Sequence, residues 1–194
     1  MSKKSRVDPR IIRTRKLLKD AMFSIVSEKG FLDITIQDLT ERATLSRATF
    51  YLHYRDKSEV LTDLLGDLLT EANLIPPTLS DPDQQITIPT LPDLFRHVAR
   101  YSTFYHMLSS KGSSSMGTLW AYVDEVTERW AEFLFQSGVA LDVEEEMYGS
   151  FLSGAFLGVL TWWLDNEMPH TPEVMAAKLV NMITKGFPTQ YFKS

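Results

Sequence analysis

The stretch from Thr35 to Lys57, TIQDLTERATLSRATFYLHYRDK, constrains the fold of this 194-residue chain more than any other. It predicts two short helices, each preceded by a hydroxyl side chain that can cap free backbone N–H groups, Thr35 and Ser46. Asp38, three residues after Thr35, suits a capping box. Helices joined by so few residues cannot pack side by side and must cross at a steep angle. The pattern therefore predicts a helix-turn-helix, whose second helix can enter the major groove of DNA.

The outer face of the second predicted helix carries side chains suited to nucleic acid. Arg47 offers a planar fork that matches guanine O6 and N7, and Leu52 can touch a thymine methyl group. His53 and Lys57 lie where the helix would leave the groove and meet the DNA backbone. The candidate DNA contacts are Thr35, Ser46, Arg47, Ala48, Thr49, Tyr51, Leu52, His53 and Lys57. The alternative is a small amphipathic pair packed inside an all-helical domain, and the pattern alone fits both.

The longer run TIQDLTERATLSRATFYLHYRDKSEVL resembles the N-terminal DNA-binding region of the TetR (tetracycline-repressor) family of transcriptional regulators. Its part LSRATFYLHYRDKSEVL is similar to the recognition helix of that family and the start of the next helix. The resemblance covers roughly residues 8 to 65. It departs at Thr44, where the family often has glycine in the turn. Because a β-branched residue tolerates positive φ poorly, the turn either avoids that conformation or is strained.

The resemblance implies an all-α fold with two parts. Residues 1–57 would hold a basic N-terminal arm and a three-helix, helix-turn-helix DNA-binding domain. Residues 58–194 would form a helical ligand-binding and dimerisation domain. Within it, helices over 142–166 and 172–186 would build a four-helix bundle with the same helices of a second subunit. The implied partner is double-stranded DNA carrying an inverted repeat, bound by a homodimer whose two recognition helices each read one half-site.

The charge distribution is consistent with that division. Residues 1–57 hold 13 Lys and Arg against 7 Asp and Glu, whereas the remainder holds 7 against 18. A basic front end on an acidic body suits a molecule that presents one end to a polyanion. Seven of the basic residues lie in the first sixteen positions. This arm could follow phosphates, reach a minor groove or be disordered, and chance clustering of solvated charges is the alternative to all three.

Apolar periodicity predicts further helices on both sides of this region. The first begins at Pro9 with Asp8 as its cap and stops at Gly30. Proline-rich residues 75–92 predict a connection, and KGSSSMG at 111–117 predicts a break. The other helices are expected over 57–73, 93–110, 119–137 with Gly138 as its stop, 142–168, and 172–185 after Thr171 and before Gly186.

An uncharged run covers residues 147–164. Its length reaches the lower bound for a membrane span. Three glutamates precede it, however, rather than a flank rich in Lys and Arg, which favours a helix in a core or between subunits. Ser150, Gly154 and Gly158 form a strip of small residues that would let another helix approach closely. These three and Trp162 are the candidate dimer contacts, and no membrane association is expected.

The resemblance implies that the middle helices, roughly residues 91–137, form a chamber for a small-molecule effector. An apolar cavity with a few directed polar groups suits a hydrophobic or aromatic compound. The candidate ligand contacts are His97, Arg100, Tyr101, Tyr105, Trp120 and Trp130. The alternative is that these aromatic side chains form an ordinary helical core.

Several classes of chemistry lack their sequence signals. The chain has no cysteine, which excludes disulfides and cysteine metal sites and fits a cytoplasmic location. Its four histidines lack metal-binding spacing, and neither a G-x-S-x-G elbow nor a complete phosphate loop occurs. The start MSKKSRVDPR is not followed by the apolar segment of a secretory signal. We therefore expect no enzymatic activity, no cofactor and no metal.

The expected function is that of a sequence-specific transcriptional regulator, a repressor released from a palindromic operator by a small hydrophobic or aromatic ligand. The first alternative is a TetR-like co-activator or adaptor that works through a protein partner without a small-molecule inducer. A second alternative is a helical ligand-binding or enzymatic domain that does not bind DNA. Operator, effector, regulated genes and sign of regulation do not follow from the sequence.

Overall fold

The computed structural model describes residues 8–72, 74, 91–109, 115–136 and 142–185. These residues form nine α-helices and no strand, so the all-α prediction is confirmed. In chain order the helices are α1 (Pro9–Lys29), α2 (Ile36–Ala43), α3 (Arg47–Tyr51), α4 (Lys57–Glu71), α5 (Leu91–Arg100), α6 (Ser102–Ser109), α7 (Ser115–Gln136), α8 (Glu145–Asp165) and α9 (Pro172–Lys185). The arm over residues 1–7, most of the proline-rich connection, and the expected stops at Gly138 and Gly186 lie outside the described residues.

The chain divides into two compact units. The first comprises the described residues up to Leu68 and those of Met107–Leu119, and the second comprises Leu69–His106 and the described residues from Trp120 onward. The first unit therefore includes most of α4, which the expected boundary at residue 57 assigns to the regulatory part. Ionic contacts tie α4 to α1, because the Lys19 ammonium group contacts the carboxylates of both Asp63 and Asp67.

Both ends of α1 form as predicted. The Asp8 side chain accepts a hydrogen bond from the amide of Arg10, and Pro9 occupies the first turn, where its missing N–H costs nothing. Gly30 ends the helix with φ of 75°, a conformation that favours glycine. The buried stripe of α1 consists of Leu18, Ala21, Met22, Ile25 and Val26.

The single helix predicted over 93–110 is wrong in one respect, because two helices occupy that range. α5 begins at Leu91 and ends at Arg100, and α6 begins at Ser102. At Tyr101, between them, the backbone amide is shared by the carbonyls of His97 and Val98, each at 3.2 Å. Such a shared bond is common where a helix tightens at its end. The break separates the two halves of a continuous apolar pattern, which is why periodicity did not show it.

α7 begins at Ser115, inside the segment where the glycines predicted a break. Ser115 is fully buried, and its hydroxyl donates to the Leu108 carbonyl at 3.0 Å. This bond satisfies a carbonyl at the end of α6 and fixes the first turn of α7. The expected start at Leu119 was therefore four residues too late, while the observed end at Gln136 is one residue from the expected one.

The second unit is centred on α5, α8 and α9. Phe95 of α5 packs edge-on against Trp163 of α8, with ring centroids 5.3 Å apart, and Arg96 bonds Glu173 of α9 at 2.8 Å. The buried side of α8 consists of Gly149, Ser153, Leu157, Leu160, Trp163 and Leu164. α8 ends at Asp165 rather than at the predicted 168, since Glu167 and Met168 adopt positive φ of 58° and 54°.

Candidate nucleic-acid interface

The entry to α2 is fixed by a capping box. The Thr35 hydroxyl accepts from the Asp38 amide at 3.1 Å, and the Asp38 carboxylate accepts from the Thr35 amide at 2.7 Å. The Lys29 ammonium group lies 3.0 Å from the same carboxylate. Hydrogen bonds from the Thr35 side chain and backbone, followed by one from Lys29, lower the pKa of Asp38 to about 2. A charged Asp38 at the helix start also suits the helix dipole.

The turn between α2 and α3 is a Schellman motif with threonine in the position that usually holds glycine. The Thr44 amide donates to the Glu41 carbonyl at 3.1 Å, and the Leu45 amide donates to the Thr40 carbonyl at 2.8 Å. Thr44 has φ of 56° and ψ of 45°, in the left-handed region. Of the two alternatives for this turn, the strained one is therefore observed.

Thr44→Gly should stabilise the protein by about 1 kcal/mol, because the relieved left-handed strain exceeds the entropy that glycine adds to the unfolded chain. Thr44 is exposed, so no packing is lost. Thermal unfolding should show a midpoint about 2–4 °C higher. Thr44→Ala is the matched control, since it keeps a Cβ at positive φ and should gain little. A lower midpoint for the glycine variant would contradict a strained turn.

α3 has one buried side and one exposed side. Its first turn is capped by Ser46, whose hydroxyl accepts from the Thr49 amide at 3.0 Å and bonds the Thr49 hydroxyl at 2.8 Å. Phe50 is completely buried, and Tyr54 just beyond the helix is 2% exposed. The Tyr54 hydroxyl donates to the Asp63 carboxylate of α4, and burial raises the pKa of Tyr54. These anchors hold the opposite side outward.

The outward side consists of Arg47, Ala48, Tyr51 and Leu52. Leu52 is 81% exposed and Tyr51 is 54% exposed, so both side chains are open to a partner. Thr49 and His53 are half-buried at its edges, and Thr35 and Ser46 are exposed at the two helix starts. Thus the structure brings most of the predicted DNA contacts onto one short face, with Arg47 at its N-terminal end.

The cations of the first unit fall into two groups. Arg42 makes a two-pronged contact with Glu28 at 2.8 Å, and a hydrogen bond from Arg42 is the main reason why the pKa of Glu28 falls to about 2. The second group consists of the exposed cationic side chains that have no hydrogen-bond or ion-pair partner among the described residues, namely Arg10, Arg13, Lys16 and Arg47. These free cations are the ones available to a polyanion.

Lys57 is placed differently from the sequence-based expectation of a phosphate contact. Its ammonium nitrogen donates to the backbone carbonyls of Phe31, Leu32 and Ile34 at 2.9, 2.9 and 2.7 Å. Burial lowers the pKa of the Lys57 ammonium group, while the charge of Asp33 opposes that shift. A phosphate contact through this group would require at least one of the three bonds to break.

In the second unit, three of the candidate ligand residues form one buried cluster. His97 Nε2 and the Tyr105 hydroxyl are 2.8 Å apart, and the Tyr101 ring packs on His97 with centroids 5.1 Å apart. Arg100 is exposed, with its guanidinium 5.4 Å from the centre of the Tyr101 ring. Burial lowers the pKa of His97 to about 4, so its ring is neutral at neutral pH.

Helix α7 places near this cluster a residue that the sequence pattern did not indicate. Burial is the main cause that raises the pKa of Tyr105, and electrostatic interactions with Tyr122 of α7 and with Tyr101 raise it further. Trp120 is 45% exposed, and the Trp130 ring packs on Phe133 of its own helix. Neither tryptophan makes a ring contact with His97, Tyr101 or Tyr105 among the described residues. Tyr122 lies only two residues after Trp120 on the same helix, and aromatic spacing alone does not show which of the two approaches the cluster.

Acid should destabilise the protein partly through His97. The unfolded chain binds a proton at His97 near pH 6.5, whereas the folded protein does so only near pH 4. Acidification through this window therefore favours unfolding. Between about pH 7 and about pH 5, wild type should lose about 1 kcal/mol more stability than His97→Gln, which keeps a hydrogen-bonding group for Tyr105. Parallel pH dependences in denaturant titrations of the two proteins would contradict a neutral, buried His97.

Between Met147 and Trp162, the exposed side of α8 carries no charged residue and is largely apolar. It carries Met147, Phe151 and Trp162, which are 53%, 51% and 47% exposed, and the small residues Ser150 and Gly158. Beside it, Val159 and Trp162 face Met175, Lys178 and Met182 of α9 across an open groove of about 530 Å³. By length and composition α8 could cross a membrane, but a core helix meets the same criteria. This exposed apolar side is named here the α8/α9 face.

The glycines of α8 differ in what surrounds them. A Cβ on Gly149 would lie 3.3 Å from the Glu128 backbone, so Gly149 is needed where α7 crosses α8. A Cβ on Gly154 or Gly158 would meet no atom within 4 Å. Packing of the described residues therefore explains the first glycine and leaves the other two, both in the predicted small-residue strip, without a reason inside the protomer. Among the described residues, no group of His, Asp and Glu is placed to hold a metal ion.

Comparison with known families covers most of the chain. The model of "Bacterial regulatory proteins, tetR family" matches residues 20–64. A second TetR model, described as "Transcriptional regulator C-terminal region", matches residues 87–185, which is about half of the chain. The two matches fall on the helix-turn-helix and on the second unit with the start of α7.

Two curated relatives come from Bacillus subtilis (strain 168). The uncharacterized HTH-type transcriptional regulator YxbF is 24% identical over 189 residues, which are 93% of this chain and 47% of that protein. The HTH-type regulator YdeS is 33% identical over 79 residues, 41% of this chain and 40% of that protein. The chain thus spans about half the length or less of the curated relatives that it matches.

Solved structures share the fold at low sequence identity. A TetR transcriptional regulator from Streptococcus agalactiae 2603V has a TM-score of 0.61 and 21% identity, and the match covers 90% of this chain and 95% of that one. NalD of Pseudomonas aeruginosa, a secondary repressor of a multidrug efflux pump, has a TM-score of 0.57 at 15% identity over 91% and 96%. The dihydroxyacetone kinase operon activator DhaS has a TM-score of 0.57 at 16% identity over 94% and 99%.

Proposed function

The chain belongs to the TetR family of bacterial transcriptional regulators, and on this basis we propose that it is a repressor which binds a palindromic operator as a homodimer and is released by a small hydrophobic or aromatic ligand. Proteins of this family are DNA-binding regulators rather than enzymes. The observation that carries the proposal is the outward side of α3, where Arg47, Tyr51 and Leu52 stand exposed above the buried Phe50.

DNA reading by this side follows from its chemistry. The Arg47 fork has no partner of its own among the described residues and can bond guanine O6 and N7. The apolar end of Leu52 suits a thymine methyl group, and the Tyr51 hydroxyl suits a base edge or a phosphate. The unpaired cations Arg10, Arg13 and Lys16 on α1 would add contacts to phosphate that do not depend on sequence.

Dimerisation is supported by the α8/α9 face. Large apolar side chains and two glycines with open space above them suit another helix at close approach. A single helix-turn-helix touches few base pairs, whereas two related by a twofold axis read a palindrome with half-sites one or more helical turns apart. Dimerisation would therefore provide the selectivity for one operator.

The location that we propose for this DNA-binding regulator is the cytoplasm.

Ligand response is proposed for the second unit, around His97, Tyr101 and Tyr105. A neutral histidine bonded to a tyrosine offers directed polar groups within aromatic surroundings. Ligand binding would favour a spacing of the two α3 helices that no longer fits successive grooves, and it acts only as far as the ligand prefers that state. Structures with this fold include both a repressor and an activator. We therefore infer repression from the proposed release of DNA on ligand binding and not from the fold.

The alternative is an adaptor that acts through a protein partner without an inducer. Thermal unfolding in the presence of a metabolite library separates the two, since a ligand that binds only the folded state raises the midpoint. Under our proposal a stabilising compound should also displace the protein from a fluorescently labelled operator duplex. Compounds that raise the midpoint without releasing DNA, or a library without any stabilising compound, would favour the adaptor.

A further inference from the structure

We propose that Lys57 is a positioning residue, which holds α2 and α3 in the orientation that reads DNA, and that its ammonium group does not contact phosphate. The inference rests on the proposed reading of DNA by α3. It assigns Lys57 a role different from that of an ordinary cation at the edge of a DNA-binding surface.

The contacts of Lys57 use its whole bonding capacity. An ammonium group has three N–H donors and no acceptor. All three are directed at carbonyl oxygens, those of Phe31, Leu32 and Ile34, at 2.7 to 2.9 Å. The same nitrogen lies 4.6 Å from the centre of the Phe31 ring, which is 3% exposed. No donor is left for a phosphate oxygen in this arrangement.

The three carbonyls depend on Lys57 in turn. They belong to the connection between α1 and α2, where no helix supplies a regular backbone donor. Within the described part of the chain, the one other hydrogen bond to these carbonyls is from the Ile34 amide to the Phe31 carbonyl at 3.2 Å. The bonds to Phe31 and Ile34 are partly buried, and backbone carbonyls that lose their partner in such a place destabilise that conformation. Removing the ammonium group should therefore loosen this connection first.

The place of these contacts in the chain explains their effect on α3. Lys57 is the first residue of α4, and its partners immediately precede Thr35, the cap of α2. The bonds thus close a segment that starts at Phe31 and ends at Lys57 and contains α2, the strained turn and α3. Since both ends of the segment are bonded to each other, the movement of α2 and α3 relative to the start of α4 is restricted.

The test compares Lys57→Met and Lys57→Arg with wild type. Methionine keeps an apolar stem over Phe31 and removes the donors. Arginine keeps the charge and suits phosphate well, but its planar fork does not match three converging carbonyls. Arg55→Met is the control, because Arg55 is 89% exposed and lies two residues away. The DNA probes are the duplex that wild type selects from a random library and a scrambled duplex of equal length.

We expect both Lys57 variants to bind the selected duplex about tenfold to a hundredfold more weakly, with little change on the scrambled duplex. The slope of log affinity against log salt should stay as in wild type. If Lys57 contacted phosphate, Lys57→Met would remove two such contacts from the dimer, lower that slope by about 1.8 and weaken both duplexes alike, while Lys57→Arg would bind normally. That second pattern would overturn the proposal. Arg55→Met should leave the ratio of the two affinities unchanged.

Hydrogen exchange without DNA provides a readout that does not depend on the operator. In both Lys57 variants the amides of α2 and α3, including that of Thr49, should exchange at least about tenfold faster than in wild type, with α8 unaffected. Arg55→Met should exchange as wild type does. Unchanged exchange in α2 and α3 would overturn the positioning role. If wild type selected no duplex, the proposed function would fail, and exchange would still test the positioning role.

Discussion

Replacing Arg47 by alanine should lower the affinity of the protein for its preferred DNA site by about 100-fold or more, while binding to unrelated DNA stays nearly unchanged. A good two-pronged contact between arginine and guanine is worth about 1–3 kcal/mol, and a dimer loses two of them. Arg47 is exposed and unpaired among the described residues, so the substitution should leave the fold intact. Fluorescence anisotropy with the preferred and a scrambled duplex measures both affinities.

Arg47→Lys is the matched variant for this effect. It keeps the positive charge and loses the planar fork, so it should retain the salt dependence and still lose the preference for guanine. The two variants together separate base reading from attraction to phosphate. If alanine weakened all duplexes equally and lysine behaved as wild type, Arg47 would be a phosphate contact and another residue would read the bases.

Gly154→Leu and Gly158→Leu should convert the proposed dimer into a monomer and reduce operator affinity by about 100-fold or more. A Cβ at either position has no atom within 4 Å in the protomer, so the fold accepts the larger side chain. Across the α8/α9 face, however, leucine would hold the second subunit away. Light scattering after size exclusion at micromolar concentration gives the state of assembly, and anisotropy gives the affinity.

Gly117→Leu is the control for the helix itself. Gly117 also lies in a helix with open space around it, but far from α8 in the chain. All three substitutions improve helix propensity by a similar amount. Gly117→Leu should remain a dimer with full affinity. If the α8 variants also remained dimers with full affinity, the subunits would meet elsewhere or not at all.

Local sequence signals predict the starts of helices where a single capping residue sets the start. Asp8 with Pro9 sets the start of α1, and the hydroxyls of Thr35 and Ser46 set the starts of α2 and α3. Each of these caps depends on bonds within three residues, so short-range pattern predicts it. The outward placement of Arg47 and Leu52 follows in the same way, once Phe50 is assigned to the buried side.

Long-range contacts account for what the sequence did not predict. The role of Lys57 depends on carbonyls more than twenty residues earlier, and its charge alone suggests phosphate. The break at Tyr101 interrupts no apolar pattern, and Ser115 starts α7 through a bond to Leu108 of the preceding helix. Tyr122 of α7 acts on the pKa of Tyr105, a proximity that aromatic spacing does not reveal. In each case the residue's role or the helix boundary depends on a contact with a residue distant in sequence or with a backbone group.

Selection of bound fragments from random DNA tests the central claim most directly, because it reports both the bases read and their arrangement. With α3 presented twice by a symmetric dimer, the enriched fragments should carry an inverted repeat, and Arg47→Ala should lose enrichment at one guanine in each half. A single unrepeated motif, or a repeat that Arg47→Ala selects as wild type does, would contradict the account.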